Sequence, residues 1–259
     1  MTAITVDIRA KTYASRTPGT DHMALKNLSF AVPEGQFACI VGPSGSGKTT
    51  LLNIISGLDP VVDGSVQVGN GPGTGLANLP IGYMFQTPRL LPWLSVIENV
   101  RVVMDKAGVE SGEAERLLKE MQLEDVMDAF PNRLSGGMQR RVALARAFAV
   151  RPKLLLMDEP FLSVEAPVAE KLRHILLETW KARRTTVLFV THDLSEALSL
   201  GDRILFLSSS PGHVVLDLAV NLPRPRNVAD PEIESLQREL LIQYPQLLAG
   251  LVNVARERG

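Results

Sequence analysis

The 259-residue sequence is 45% hydrophobic and 21% charged, with a formal net charge of −1. That bulk suffices for a substantial buried core, and the near-neutral balance argues against a protein living mainly on a nucleic-acid backbone. A single cysteine, Cys39, excludes an internal disulfide framework and suits a reducing compartment. No run approaches eighteen apolar residues, so no stretch reads as membrane-spanning, and the opening MTAITVDIRAK lacks the basic start and apolar run of a secretory signal. His22, His174, His192 and His213 show no zinc-type spacing.

In chain order, ITVDIRAKTYA alternates apolar and polar residues and predicts a strand, SRTPGTDHM a loop, and LKNLSFAV a second strand turned by Pro33-Glu34-Gly35. FACIV is short and wholly apolar, as a strand buried on both faces should be. Residues 48–57 predict a helix with Leu51, Leu52 and Ile55 inward and Gly57 as its stop. GSVQV predicts a strand, GNGPGTGLANLP a loop, and IGYMFQ a strand ending at Gln86. From about 90 to 150 the pattern turns helical. Residues 111–130 carry Leu117, Leu118, Met121 and Val126 at helical spacing, and GGMQRRVALARAFAV repeats it through Met138, Val142, Ala145 and Ala149. LLLMD and TTVLFVT are strands flanking a helix that starts at Pro167. RILFLSSSPGHVVLDLAV predicts a hairpin, LPRPRNVADP a linker, and the tail to Gly259 one or two helices. Strands alternating with helices predict an α/β protein with a mostly parallel sheet. Cys39 reads as a small buried apolar residue.

Three stretches carry chemistry. GPSGSGKTT, directly after FACIV, fits the phosphate-binding pattern G-x-x-x-x-G-K-[ST] in its required strand–loop–helix setting. Glycines let successive N–H groups converge on one concavity, and a helix N-terminus adds positive potential. Gly42, Pro43, Ser44, Gly45, Ser46, Gly47, Lys48, Thr49 and Thr50 are therefore candidate nucleotide contacts, with Lys48 for the β- and γ-phosphates and the Thr49 hydroxyl for Mg2+. LLLMDEP places Asp158 and Glu159 at the carboxyl end of a strand. There Asp158 suits Mg2+ and Glu159 suits orienting or deprotonating an attacking water. In LSGGMQRR a serine and two glycines precede a helix, forming a second anion site from Ser135, Gly136 and Gly137 with Gln139 beside them.

Taken together, in order, Tyr13, the phosphate loop, Gln86, LSGGMQRR, Asp158-Glu159 and His192 resemble the ATP-binding cassette family over roughly residues 4–222. The resemblance implies a P-loop NTPase (RecA-like) core in residues 1–86 and 153–222, with an N-terminal antiparallel β subdomain. It also implies an inserted α-helical subdomain in 87–152, leaving 223–259 as a C-terminal helical tail. It further implies that Tyr13 stacks on adenine, that Gln86 senses Mg2+ and the attacking water, and that His192 hydrogen-bonds the γ-phosphate. ATP and Mg2+ are the implied ligands. Two cassettes, identical or closely related, are expected to pack head to tail, each signature segment completing the other's site.

TPRLLPWLSVIENV follows Gln86, and its cluster Leu90, Leu91, Trp93 and Leu94 lies between prolines. By resemblance, the segment from Gln86 to Leu94 docks a transmembrane permease subunit; packing beneath the helical insert is the other reading. GPG at 71–73, LLPWLSVIENV and LPRPRN resemble importers for nitrate, sulfonate and taurine. Such a subunit sits peripherally on the cytoplasmic face of the inner membrane and works with an extracytoplasmic solute-binding protein. One departure stands out. Where the family has a loop resembling S-A-L-D, this chain ends the loop Val164-Glu165, which is expected to alter coupling between sites. Two other classes remain open: a soluble cassette ATPase acting on ribosomes or nucleic acid, for which coiled-coil arms and basic patches are lacking, and an ATP-dependent scaffold with weakened hydrolysis.

Overall fold

The computed structural model describes residues 2–15, 21–69, 80–104 and 112–252. They form two compact units, Met1–Asn78 with Thr186–Gly259, and Leu79–Thr185. The first unit opens with β1 (Thr2–Tyr13), β2 (His22–Pro33), β3 (Phe37–Val41), α1 (Lys48–Ser56) and β4 (Asp63–Val68). The second holds β5 (Ile81–Met84), α2 (Val96–Arg101), α3 (Glu113–Glu120), α4 (Gly136–Ala149), β6 (Leu154–Asp158) and α5 (Ala166–Arg183). The chain then returns to the first unit with β7 (Thr186–Thr191), α6 (Leu194–Leu200), β8 (Arg203–Leu207), β9 (Val214–Ala219) and α7 (Pro231–Gln243).

In the first unit, β1 pairs antiparallel with both β2 and β4, and its alternation buries Ile4, Val6 and Ile8 on one face. β3 lies parallel to β7 on one side and to β8 on the other, with β9 antiparallel at the edge. All residues of β3 and β7 are buried, as the apolar runs FACIV and VLFV require, with Thr186 and Thr191 buried at the ends of β7, and Phe37 meets Phe189 with ring centroids 5.8 Å apart. Leu51, Leu52 and Ile55 of α1 are fully buried, and Gly57 ends the helix at φ 77. Cys39 is fully buried, and burial pushes its thiol up.

Of the predicted 222–231 linker, residues 222–230 are irregular but tied down, and Pro231 opens α7. Arg226 is buried and donates to the Gly201 carbonyl (2.6 Å), Arg224 donates to Asp202 Oδ1 (2.7 Å) and to the Leu200 carbonyl, and burial with the Arg224 charge pushes Arg226 down to about 10. The following tail is α7, which buries Ile233 and Leu240, and a single 3-10 turn at Leu247–Ala249. The predicted loop residues 16–20, the GPG at 71–73, residues 105–111 and the last seven tail residues lie outside the described residues.

In the second unit β5 and β6 are parallel. α4 rides close over β5, because a Cβ on Gly82 would come within 2.3 Å of the Ala147 carbonyl. Three sequence expectations change here. β5 stops at Met84, so Gln86 stands two residues past the strand. The helix predicted over 111–130 breaks at Gln122, whose φ of 56 no continuous helix accommodates; Leu123 is buried beyond the break, and Val126 lies half-buried on a 3-10 turn. Pro167 is the second helical residue, after Ala166.

Glu113, at the first turn of α3, is buried among Arg116 (2.5 Å), Arg183 (3.1 Å) and Arg151 (3.6 Å). Burial pushes its carboxyl up, but the bonds from Arg116 and Arg183 win and hold it below the usual carboxylate range. A depressed folded-state pKa gives stability that is present above the unfolded value and lost as pH falls through the folded one. Glu113→Gln is therefore expected to destabilise the protein at pH 7 by about 1.5–3 kcal/mol. The gap from wild type should narrow on acidification. Chemical denaturation at pH 7 and pH 4 checks this; equal stability at pH 7 would show that the arginine cluster contributes nothing.

Candidate functional site

The phosphate loop bridges the end of β3 and the start of α1. Gly45 and Gly47 have φ of 81 and 85, which side-chain-bearing residues rarely adopt. Close packing fixes the loop from behind. A Cβ on Gly47 would lie 2.5 Å from Leu25 Cδ2 and 2.9 Å from the Ala24 carbonyl, and one on Gly42 would lie 2.9 Å from Ser46 Oγ. The β8–β9 turn closes the other side, where a Cβ on Gly212 would meet the Ser46 carbonyl at 2.1 Å. Gly47 caps α1 without any side-chain hydrogen bond, leaving the first turn to face the loop's concavity. Lys48 is buried, and its Nζ donates to the carbonyls of Gly42 (2.8 Å) and Pro43 (2.9 Å). Ser44, Gly45 and Thr49 are exposed, Pro43 and Thr50 half-buried, and Ser46 buried.

Parallel register sets what shares this edge. Val41 is opposite Thr191 of β7 and Phe206 of β8, so His192 leaves its strand level with Gly42. His192 is exposed on a short connection held at both ends. Asp193 Oδ1 accepts from the Ser195 and Glu196 N–H groups of α6, and Thr191 Oγ1 donates to Glu196 Oε2 (2.7 Å). Asp193 is the N-cap of that helix. Tyr13, at the end of β1, has its hydroxyl 2.7 Å from Asp59 Oδ2 and 3.5 Å from Thr50 Oγ1, while the Lys11 ammonium stands 4.8 Å from its ring centroid.

The second unit builds its own edge. Met84 and Met157 are opposite each other, so the segments leading to Gln86 and Glu159 emerge together. Asp158 is buried at the last position of β6, and its charge, after burial, pushes the Tyr83 hydroxyl up. Glu159 follows at φ 43, an unusual backbone conformation for a non-glycine and one that re-aims the side chain sharply off the strand. Gln86 is exposed. The loop after it is stiffened: Phe85 stacks on Tyr83 (4.1 Å, 17°), the Arg89 guanidinium lies 4.1 Å over Phe85, and Arg146 of α4 donates to the carbonyls of Pro88 (2.7 Å) and Arg89 (2.9 Å).

Ser135 caps α4, its Oγ accepting from Met138 N (3.2 Å), and Gly136 beside it is exposed. Gly137 is a close-approach position, since a Cβ there would lie 2.7 Å from Val168 Cγ1. Gln139 turns back: its amide donates to the carbonyls of Pro131 (3.0 Å) and Leu134 (3.4 Å), bracing the loop that presents Ser135. Arg140 donates to the carbonyls of Pro160 (3.0 Å) and Leu162 (2.8 Å), tying α4 to the segment after Glu159. A cavity of about 470 Å³ lies between Ser135, Gly136 and Gly137 on one side and Ser163, Val164 and Glu165 on the other. Sequence reasoning missed Arg140, Arg146 and Asp59, because the carbonyls and hydroxyl they bond are remote in sequence and no motif marks them.

The segment from Leu90 to Leu94 is organised by the fully buried Asn99. Its amide accepts from Leu91 N (2.8 Å) and donates to the carbonyls of Leu91, Leu94 and Ser95. Leu90, Leu91 and Leu94 are half-buried, and Trp93 is 69% exposed.

A family model described as ABC transporter matches residues 25–162. Aliphatic sulfonates import ATP-binding protein SsuB 2 of Burkholderia cenocepacia is 42% identical, covering 90% of this chain and 84% of that protein. Bicarbonate transport ATP-binding protein CmpD of Synechocystis is 39% identical over 86% of this chain and 81% of its own. Among solved structures, a dimeric ATP-binding cassette in a post-hydrolysis state bound to ADP and Pi superposes with a TM-score of 0.74 at 34% identity, covering 85% of this chain and all of that one.

Gly212 offers a direct test of the bracing behind the loop. Gly212→Ala is expected to push on the Ser46 carbonyl, destabilise the protein by about 1–3 kcal/mol as overpacking does, and weaken ATP binding. Thermal unfolding and calorimetric titration read the two effects. Wild-type values for both would show that the turn does not support the loop.

Proposed function

The chain belongs to the ABC transporter family, and from that premise we propose that it is the ATP-hydrolysing subunit of a membrane importer for a small solute of the sulfonate, nitrate or taurine kind. The observation that carries this reading is the register: in each unit, parallel strands deliver the motif residues to one carboxyl edge, the phosphate loop with His192 in one and Gln86 with Asp158-Glu159 in the other. The names of the sulfonate and bicarbonate relatives support the importer assignment.

Within that reading, the backbone N–H groups of residues 44–50 and the Lys48 ammonium hold the triphosphate, and Tyr13 stacks on the base. The Thr49 hydroxyl and the Asp158 carboxylate are the hard oxygen donors that suit Mg2+, with Gln86 as a further oxygen donor. When bound, the ion neutralises phosphate charge. Glu159 takes a proton from the attacking water, and His192 steadies the γ-phosphate by a hydrogen bond. Ser135, Gly136 and Gly137 serve the ATP of a second cassette, an arrangement the dimeric neighbour supports, while Gln139 positions their loop. The permease docks at the Gln86–Leu94 segment with Trp93 as its exposed anchor, placing the subunit on the cytoplasmic face of the inner membrane. Among the described residues no helix is long and apolar enough to cross a membrane. The solute-binding protein on the far side selects the cargo.

Glu159→Gln tests the hydrolytic core. It should bind ATP yet lose on the order of 10²–10⁴-fold in turnover, as removal of a general base does, and it should remain dimeric in ATP and Mg2+. A mutant that turns over normally, or stays monomeric by light scattering in saturating nucleotide, contradicts the head-to-tail mechanism. The Glu165 departure gives a second measurement. Glu165 is exposed, sits at the N-cap of α5 and makes no side-chain capping bond. Glu165→Asp, which shortens the side chain by one methylene, is expected to change the rate or the cooperativity of ATP hydrolysis. Identical values for both would show that the longer side chain is neutral.

A further inference from the structure

The third side chain around Tyr13 is one that no motif marks. Asp59 stands two residues beyond Gly57, where α1 ends, and its backbone N–H donates to the Asn53 carbonyl of that helix (3.1 Å). Its carboxylate is shared. Oδ1 accepts from Lys11 Nζ (2.6 Å), and Oδ2 accepts from the Tyr13 hydroxyl (2.7 Å). Lys11 is only 4% exposed, donates a second bond to the Val61 carbonyl (2.5 Å), and places its ammonium 4.8 Å from the Tyr13 ring centroid. One carboxylate therefore joins the strand that carries the aromatic ring to the helix that begins at the phosphate loop. The ring is held at its hydroxyl end by Asp59 and on one face by Lys11, and it remains 38% exposed.

We propose that Asp59, buttressed by Lys11, is a positioning residue for the base of the nucleotide: it holds the Tyr13 ring in register with the phosphate loop, so that the base can stack while the phosphates are seated. The proposal rests on the reading of Tyr13 as the base-stacking residue. The physical reason for such a tether is entropic. A ring on the last residue of a strand must be immobilised on binding unless it is fixed beforehand, and a charge-assisted hydrogen bond fixes it. Stacking accepts any base, so the tether strengthens binding of ATP and GTP alike and contributes nothing to a ligand without a base.

The test is a set of calorimetric titrations with ATP, GTP and inorganic tripolyphosphate on the full chain. Tyr13→Ala removes the ring, Tyr13→Phe keeps the ring and cuts the tether, and Asp59→Asn weakens it from the other end by removing the charge that the Tyr13 hydroxyl and Lys11 share. Tyr13→Ala is expected to weaken ATP and GTP about tenfold or more. Tyr13→Phe and Asp59→Asn should each cost about threefold. The Tyr13→Phe/Asp59→Asn double variant should lose less than the sum of the two single losses, because the Tyr13–Asp59 bond is common to both. Tripolyphosphate affinity should not change in any of them. If Tyr13→Ala binds ATP like wild type, the stacking reading itself fails. If Tyr13→Ala weakens ATP but Asp59→Asn does not, or its effect adds to that of Tyr13→Phe, the tether is overturned while stacking stands. If Asp59→Asn weakens tripolyphosphate equally, Asp59 supports the fold rather than the base. Tyr13→Phe, which leaves Lys11 and Asp59 paired, keeps the proposal decidable should Asp59→Asn unfold.

Discussion

Three backbone segments approach one another more closely than any side chain allows. The Ala24–Leu25 segment, the Ser46–Gly47 turn and the β8–β9 turn at Gly212 meet where a single added carbon on Gly47 or Gly212 would overlap a carbonyl. This contact dictates the rest of the first unit. Gly47 sits in this contact at positive φ, Gly45 takes positive φ beside it in open space, and the two turn the chain from the end of β3 into α1 with its first-turn N–H groups toward the loop. Lys48, the first helical residue, is thereby buried against the loop's own carbonyls, so its charge is delivered at a fixed point rather than on a free tether. A cation so placed costs desolvation, which the loop carbonyls offset by accepting its hydrogen bonds.

Parallel pairing extends this local geometry across the sheet. Strands in register end together, so His192 is level with Gly42 although 150 residues separate them. The same rule brings the segments after Met84 and Met157 to one edge in the second unit. Chemistry at the carboxyl edge is the general consequence of parallel α/β construction. Glu159 adds a further device: at φ 43 it abandons strand geometry one residue after Asp158, so two adjacent acids are directed differently, one buried in line with the sheet and one turned away.

What the sequence displayed was whatever is local. The phosphate loop, the acidic pair and the signature each sit inside a strand–turn–helix or loop–helix unit of a dozen residues, where glycine placement and apolar runs determine the outcome. Cys39, the buried strands and the helix over 136–149 followed for the same reason. The errors came where a single backbone torsion mattered. Nothing in EMQLED announces that Gln122 takes φ 56, and helix periodicity alone ran through it. The omissions came where a side chain bonds a distant main chain. Asn99 shaping Leu91–Ser95, Arg226 on Gly201 and Asp59 between α1 and Tyr13 are all polar residues in stretches that read as ordinary surface. Tyr13 was visible as an aromatic in a strand, but its partners were not.

The signature helix illustrates how such bonds create a mechanical unit. Four of its side chains donate to carbonyls of four different segments: Gln139 to Pro131 and Leu134, Arg140 to Pro160 and Leu162, Arg141 to Met121 and Gln122, and Arg146 to Pro88 and Arg89. Burial pushes the three guanidiniums down from their usual values, a cost that the carbonyls offset by accepting their hydrogen bonds. α4 therefore cannot shift along its axis without breaking charged hydrogen bonds to the segments that follow Gln86 and Glu159. Ser135 and Gly136, at one end of the helix, are thus joined through α4 to both loops by direct hydrogen bonds.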